Sequence, residues 1–419
     1  MIERHTLGNG MRVLAQGRPE SLSTSVVVFV KTGSRNETEK NNGISHFLEH
    51  TVFKGTKKRV TYKEINRELD SLGARHDAFT GVEYTGYIIH ASKDHFENVL
   101  DLLSDIVFEP TFPEKEISKE RGTILQEISM YEDSPSDLVT KIFHNIVSED
   151  AYVAQDVLGI ESSVKSIRAD EIGDYHRKQY TSNNSIIGCS GYLPEKYLDL
   201  IDKYFSKVHK GANILVKSKD NPLLEKKVAL KTKDIEQANF SLGGVGLSKG
   251  HPDRYVSDLL LFILGGGMSS RLWTEVREKR GLAYVINAGS LSWSDCGYYE
   301  VYAGVSPDKA YEAIDLVKKE LTTIKKDISI QELEMAKSHI IGVNTLSEEN
   351  LMTLNFNNVK DELSAGGAIS LQERTKNYEK VTIDDLKRIA ENLFKPENMK
   401  LAAIGPFKDE EKFVKILGS

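Results

Sequence analysis

Cysteine is scarce: Cys189 and Cys296 are the two in 419 residues. Two thiols build no disulfide framework, so both read as small core hydrophobes in a reduced compartment. Long apolar runs are also missing. The longest are short stretches such as residues 259–264, far below the roughly 20 residues of a spanning helix, and no membrane partner is expected. The start, Met1-Ile2-Glu3-Arg4-His5, is charged with no apolar run behind it. No signal peptide is read there, and a cytoplasmic location is expected. At a net charge of −7 no basic stripe stands out, which argues against nucleic acid and is compatible with cationic substrates. Histidine is rare too, with 11 residues.

What is present is an ordinary globular composition, 39% hydrophobic and 28% charged. The chain is too long for one ordinary core, and two domains of about 200 residues are expected. The first half opens with a hairpin turning at Asn9-Gly10, then a β-branched strand over 25–30. A polar loop over 35–42 leads into a helix near 44–51. A capping box, Thr61 to Glu64, opens a helix that Gly73 ends. A strand is expected over 78–90 and a helix over 94–108. A second capping box, Thr111 to Glu114 with Pro113 in the first turn, opens a helix to about Tyr131. Helices over 136–147, 169–180 and 194–208 and a closing strand over 185–191 complete the half. Residues 209–226 are polar, lysine-rich and weakly patterned, as linkers are.

The second half repeats this order. A strand over 238–246 precedes an apolar helix over 252–264, a strand pair over 283–305, and helices over 307–326 and from about 329 to 346. The match points to a divergent internal duplication, one α+β unit used twice. The expected fold is therefore α+β, two homologous domains, each a mostly antiparallel sheet covered by helices. The expected division is 1–208, linker 209–226, and 227–419.

The chemistry concentrates in His46-Phe47-Leu48-Glu49-His50. On a helix His46, Glu49 and His50 share one face, while Ile44, Phe47, Leu48 and Thr51 lie on another side. Two imidazoles can hold a metal, and a carboxylate beside them can take a proton from the attacking water. The order is the reverse of the commoner His-Glu-x-x-His helix. The second half has no such pair, so metal chemistry is expected in the first half. A catalytic zinc also wants a third protein ligand. Glu120 and Glu127 lie two turns apart on one later helix, but acids are plentiful and spacing alone chooses neither.

These motifs, with Lys54-Gly55-Thr56, Glu120-Arg121, Leu125-Gln126-Glu127-Ile128, Gly265-Gly266-Gly267-Met268-Ser269-Ser270-Arg271-Leu272, Arg277 and Gly281-Leu282-Ala283-Tyr284, resemble the pitrilysin-type zinc peptidases. Within them the chain is most similar to the two-domain branch that includes mitochondrial processing peptidase and its bacterial relatives. The similarity runs over nearly the whole chain. The resemblance implies a processing-peptidase-like (LuxS-like metallohydrolase) fold whose first domain is catalytic and whose second lacks metal and contacts substrate. It implies one zinc per chain on His46, His50 and Glu127, with Glu49 as general base. Glu120 becomes an acid orienting a ligand histidine. Arg277 and Tyr284 become donors that hold the substrate backbone near the scissile carbonyl.

Peptides would lie extended along an edge strand at Asp77, Ala78 and Phe79, inside a chamber. The family's four-domain chamber implies a homodimer sharing its sites. Two departures stand out. Asp77 occupies a usual asparagine position and cannot donate a hydrogen bond. Asp137 matches the first of two acids that hold a presequence arginine in processing peptidases, whereas Lys141 replaces the second, which favours broader peptide degradation. The alternatives implied are the catalytic subunit of a hetero-oligomeric processing peptidase and a non-catalytic scaffold.

Overall fold

Strand β1 (Glu3–Thr6) pairs antiparallel with β2 (Arg12–Gly17) across the Asn9-Gly10 turn, where Gly10 takes φ 87° as a left-handed turn position requires. The β-branched run forms β3 (Ser23–Val30), with Val26 to Val30 fully buried. These elements belong to a computed structural model that describes residues 1–419 apart from 213, 215–217 and 419. The linker read over 209–226 thus lies partly outside the described residues.

Helix α1 (Ile44–Val52) buries Ile44, Phe47, Leu48 and Val52. Helix α2 (Tyr62–Ser71) starts at the expected Thr61–Glu64 capping box. The strand expected over 78–90 is instead a hairpin, β4 (Arg75–Thr80) and β5 (Thr85–Ser92). Local pattern carries no break there, because the turn is fixed from a distance. Gly81 and Val82 carbonyls accept from the Ser34 and Arg35 amides at 3.2 and 3.0 Å. The Arg35 guanidinium meets Glu83 at 2.8 Å in a buried pair. A Cβ on Gly33 would stand 2.1 Å from the Gly81 oxygen, so this close approach needs glycine.

Helix α3 (Phe96–Phe108) precedes α4 (Glu114–Asp133). The second capping box is not what starts α4. Phe112 takes φ 52°, and the Thr111 hydroxyl donates to the Gly55 carbonyl at 3.2 Å. The competing partner is the loop after α1, which the sequence alone does not bring near. Then come α5 (Pro135–Val147), α6 (Glu161–Ser166), α7 (Ala169–Gln179), β6 (Ser185–Gly191) and α8 (Tyr197–Phe205). The second half supplies β7 (Val228–Thr232), β8 (Ala238–Val245), α9 (Arg254–Gly265), β9 (Ala283–Ser292), β10 (Gly297–Val305), α10 (Ala310–Asp327) and α11 (Ile330–Glu349). It ends with α12 (Leu351–Ser364), α13 (Leu371–Glu379), α14 (Ile383–Leu393), β11 (Lys400–Gly405) and α15 (Glu410–Gly418).

One sheet runs β1-β2-β6-β3-β5-β4, the other β7-β11-β8-β10-β9. Setting β1 aside, the two orders superpose element by element, including one parallel pair each, β2 with β6 and β7 with β11. The topology is that of a duplicated α+β unit with mostly antiparallel sheets. Strand β6, at the residues expected for the closing strand, lies between β2 and β3. Residues 1–129, 155–217 and 346–370 form one compact unit; 130–154, 218–345 and 371–419 form the other.

The halves of the sequence therefore exchange a helix. In the first unit α12 covers the sheet face opposite α1 and α3. Its buried Asn355 donates from Nδ2 to the Ser25 and Gly188 carbonyls, each at 3.0 Å. In the second unit α5 lies on β8 and β11. An amphipathic helix that pairs with a sheet far away along the chain leaves no local signature of its partner.

The segment after α1 is fixed by charge. Arg59, 5% exposed, donates to both Glu68 oxygens at 2.5 and 2.6 Å and to Asp101 and Asp105 at 2.8 Å each. Thr56 donates to the same Asp105 oxygen at 2.6 Å. Gly55, at φ 155°, passes so close to Val60 that a Cβ would stand 2.5 Å from its carbonyl oxygen. The Gly55-Thr56 part of the motif is thus a tie between α1, α2 and α3.

Candidate metal centre

The first unit assembles the centre from α1 and α4. Gly43 precedes α1 at φ 93°, against the backbone of Leu158 and Gly159, so no side chain can cap the helix there. Glu37 does so from the preceding loop. Fully buried, it accepts from the Gly43 amide (2.7 Å), the Ser45 amide (2.8 Å) and Asn42 Nδ2 (3.0 Å). The helix it anchors presents His46, Glu49 and His50 on one face, as expected. From α4, Glu127 reaches the histidines.

His46 Nε2 and His50 Nε2 face each other at 3.2 Å, and Glu127 Oε2 lies 3.6 and 3.7 Å from them. Tetrahedral zinc with donors at about 2.0–2.2 Å spaces them roughly 3.3–3.6 Å apart. The three donor atoms fit one ion, and among the described residues this is the one such group. Burial, helped by His50, pushes His46 down to about 3, so its ring is neutral and free to ligate near pH 7. For His50 burial disfavours the cation, but the Glu120 hydrogen bond and the surrounding carboxylates outweigh it and raise the pKa.

Glu49 stands beside the donor set without belonging to it. Its Oε2 accepts from the Thr80 hydroxyl at 2.9 Å. Burial raises its pKa against that hydrogen bond and the pull of His50, which favours a group that can take up a proton. Glu120 Oε2 meets His50 Nδ1 at 3.3 Å, and its other oxygen pairs with Lys54 at 2.9 Å. Burial raises the Glu120 pKa, but those two contacts prevail and lower it. The chain Lys54–Glu120–His50 therefore fixes the ring's orientation.

The remaining sequence candidates fall in two places. Asp77, Ala78 and Phe79 lie on β4, the edge of the first sheet. Ala78 faces the core beneath α1, whereas Phe79 packs against Phe29, Tyr84 and Phe356 on the α12 side. What residue 79 offers a ligand is its backbone. Asp77 is exposed and accepts from the Ala78 amide at 2.9 Å. Asp137, Arg277 and Tyr284 belong to the second unit. Asp137 sits in the first turn of α5, near Tyr302. Arg277 stands on a π-helical turn, Trp273–Glu278, a rare conformation often found at functional sites. Its guanidinium lies 4.0 Å from the Trp273 ring centroid and 5.8 Å from that of Tyr284, which is 77% exposed on edge strand β9. Gly265 closes α9 where a Cβ would strike Ala288, so the glycine run is a helix stop and a close approach to β9. Arg271 is spent on Glu332 and Asp327.

The topology, the duplicated sheets and the donor set agree with the comparisons. Residues 12–160 match the family described as insulinase (peptidase family M16), and residues 166–340 match the peptidase M16 inactive domain. The uncharacterized zinc protease YmxG of Bacillus subtilis is 34% identical over 97% of this chain and 98% of its own length.

The chain belongs to peptidase family M16.

A second M16 relative, an uncharacterized zinc protease of Streptomyces coelicolor, is 31% identical over 98% of this chain and 91% of its own. Among solved structures, a protease from Helicobacter pylori matches with a TM-score of 0.89 at 23% identity, over 97% of this chain and 99% of that one, which speaks to the fold. The M16 inactive-domain match falls largely on the second half, where the described residues hold no histidine pair. No helix among the described residues is long and apolar enough to cross a membrane.

Three residues at the M16 centre were outside the candidate set. Lys54 belongs to the Lys54-Gly55-Thr56 motif and Thr80 directly follows Asp77-Ala78-Phe79, but proximity alone reveals their partners. Glu37 had no signal beyond an acid in a polar loop. Burial pushes its carboxyl up from 4.5 to about 7. The folded-state value lies above the unfolded one, so its contribution is full below about pH 4.5 and lost as pH rises through about 7. Wild type is expected to lose on the order of 3 kcal/mol over that window that Glu37→Gln keeps. Urea midpoints of both proteins from about pH 5 to 8 check this; parallel pH dependence in the two contradicts it.

Proposed function

We propose that this M16 chain is a zinc-dependent metalloendopeptidase that hydrolyses peptides or unfolded segments bound in extended form. The observation that carries the reading is the 3.2–3.7 Å spacing of the His46, His50 and Glu127 donor atoms, close to the edge lengths of a zinc tetrahedron, with Glu49 beside them and outside the donor set. These three residues would hold one zinc per chain. Zinc bound there supplies a Lewis acid for the attacking water and the scissile carbonyl.

Glu49, steadied by Thr80, accepts the proton of the attacking water and returns it to the leaving amine. Glu120, backed by Lys54, keeps His50 turned toward the ion. The substrate adds a strand to the free edge of β4 at Asp77, Ala78 and Phe79, so main-chain hydrogen bonds carry binding and side-chain preference is loose. Asp137 attracts basic substrate residues. Arg277, seated over the Trp273 ring, and Tyr284 nearby donate to the developing oxyanion.

In this reading the working unit is a homodimer with an enclosed chamber, in which Arg277 and Tyr284 of one copy serve the centre of the other. Purified wild type is expected to cut an N-acetylated peptide of about 10–15 residues at interior bonds, read by product masses. Removal of single terminal residues contradicts the endopeptidase assignment. A re-equilibrated equimolar mixture of Glu49→Gln and Arg277→Ala chains is expected to regain up to about a quarter of wild-type activity, because about half of its dimers are mixed and each of those has one intact site. Verified mixed dimers that stay inactive contradict shared sites.

A further inference from the structure

Strand β4 joins two features that the peptidase reading does not connect. Its Thr80 end is hydrogen-bonded to Glu49, and its outer edge is unpaired among the described residues. Its Arg75 end opens into a cavity of about 660 Å³ in the same unit. Arg18, His90, Glu20 and Glu349 also line it. Arg18 is engaged by Glu348 at 3.1 Å. His90 lies opposite Arg75 in the β4–β5 ladder, and burial together with Arg75 keeps its ring neutral. That leaves Arg75, exposed and without a hydrogen bond or ion pair among the described residues, as the cation available to a ligand.

Five residues separate Arg75 from Thr80, about 17 Å of extended chain. Antiparallel pairing is the more stable mode per residue, and β5 already pairs that way on the other side. A peptide lying antiparallel to β4 runs from the Thr80 end toward Arg75, so its carboxyl end arrives at the cavity.

We infer that Arg75 and this cavity form a subsite for the free C-terminal carboxylate of a peptide substrate. A guanidinium suits it, because its planar fork matches a carboxylate bidentately. With Glu20 and Glu349 on the wall, the cavity suits one carboxylate rather than a polyanion. The span sets the substrate class: peptides that end about three to five residues beyond the cleaved bond. The site thereby favours short free peptides and fragments over bonds deep inside long chains. This inference rests on the peptidase reading and deepens it.

The test uses the full-length zinc-loaded protein and two peptides of one sequence that end four or so residues past the cut. One carries a free C-terminal carboxylate and the other an amide. Wild type is expected to show kcat/KM about tenfold higher for the acid, the difference lying in KM. In Arg75→Gln the acid-to-amide ratio is expected to fall to near one, and in Arg75→Lys to an intermediate value. The ratio is internal to each variant, so altered folding or zinc content does not mimic the result. A ratio near one in wild type, or a wild-type ratio that survives in Arg75→Gln, overturns the subsite. If wild type cuts neither peptide, the peptidase reading has failed and the subsite falls with it.

Discussion

Replacing Glu49 by Gln is expected to lower kcat for peptide hydrolysis by a factor of about 10²–10⁴ while metal content stays at the wild-type level. The glutamine is isosteric, and its amide oxygen still accepts from the Thr80 hydroxyl that fixes Glu49 at 2.9 Å. What is lost is the ability to take a proton. The three atoms spaced for an ion belong to His46, His50 and Glu127, so Glu49 can change without emptying the centre. Single-turnover kinetics on a quenched fluorescent peptide, with zinc measured on the same samples, checks both halves. A variant that keeps its rate removes Glu49 from the chemistry. A variant that loses metal along with rate makes Glu49 part of the donor set instead.

The largest stability effect is expected at Arg59. Its guanidinium is 5% exposed and neutralises Glu68, Asp101 and Asp105, of which Asp105 is itself buried. Arg59→Met keeps most of the side-chain volume but leaves buried Asp105 and partly buried Glu68 without their cation, while Asp101 keeps Lys58. Removing one partner of a buried ion pair costs about 3–5 kcal/mol, because the remaining charge is uncompensated. For a unit of this size that corresponds to a drop in Tm of roughly 6–20 °C. The Lys54-Gly55-Thr56 segment is tied through the same cluster, so amide exchange is expected to rise there and at the start of α2 before it rises in β3. Calorimetry and hydrogen exchange read this directly. A Tm within about 2 °C of wild type contradicts a structural role for the cluster.

The sequence made the centre legible because its chemistry is local. His46, Glu49 and His50 share a face by helical spacing alone, and Glu120 and Glu127 share one on α4 for the same reason. The choice of Glu127 came from family resemblance, and the 3.6 and 3.7 Å approaches to the two histidines agree with it. The fold class was legible for a related reason: strand and helix periodicities recur in the same order in both halves, and the two sheets share one topology.

What stayed hidden was set by contacts distant in sequence. The β4–β5 turn reads as continuous strand because Arg35 and Gly33, fifty residues earlier, hold it. The Thr111 hydroxyl leaves the expected capping box for the Gly55 carbonyl. Glu37 caps α1 across a loop, in place of the side chain that Gly43 lacks. Helices α5 and α12 cover sheets built from the other half of the sequence, which no window of local hydrophobicity records.

Hydrolysis is expected to depend on one zinc held by His46, His50 and Glu127. The most direct test strips the purified protein with a chelator and adds zinc back in steps, following peptide hydrolysis and bound metal together. The stripped protein is expected to show no hydrolysis, with a linear return of activity that saturates at about one zinc per chain. Undiminished hydrolysis by metal-free protein, or a zinc-replete protein that cuts no peptide, would contradict it.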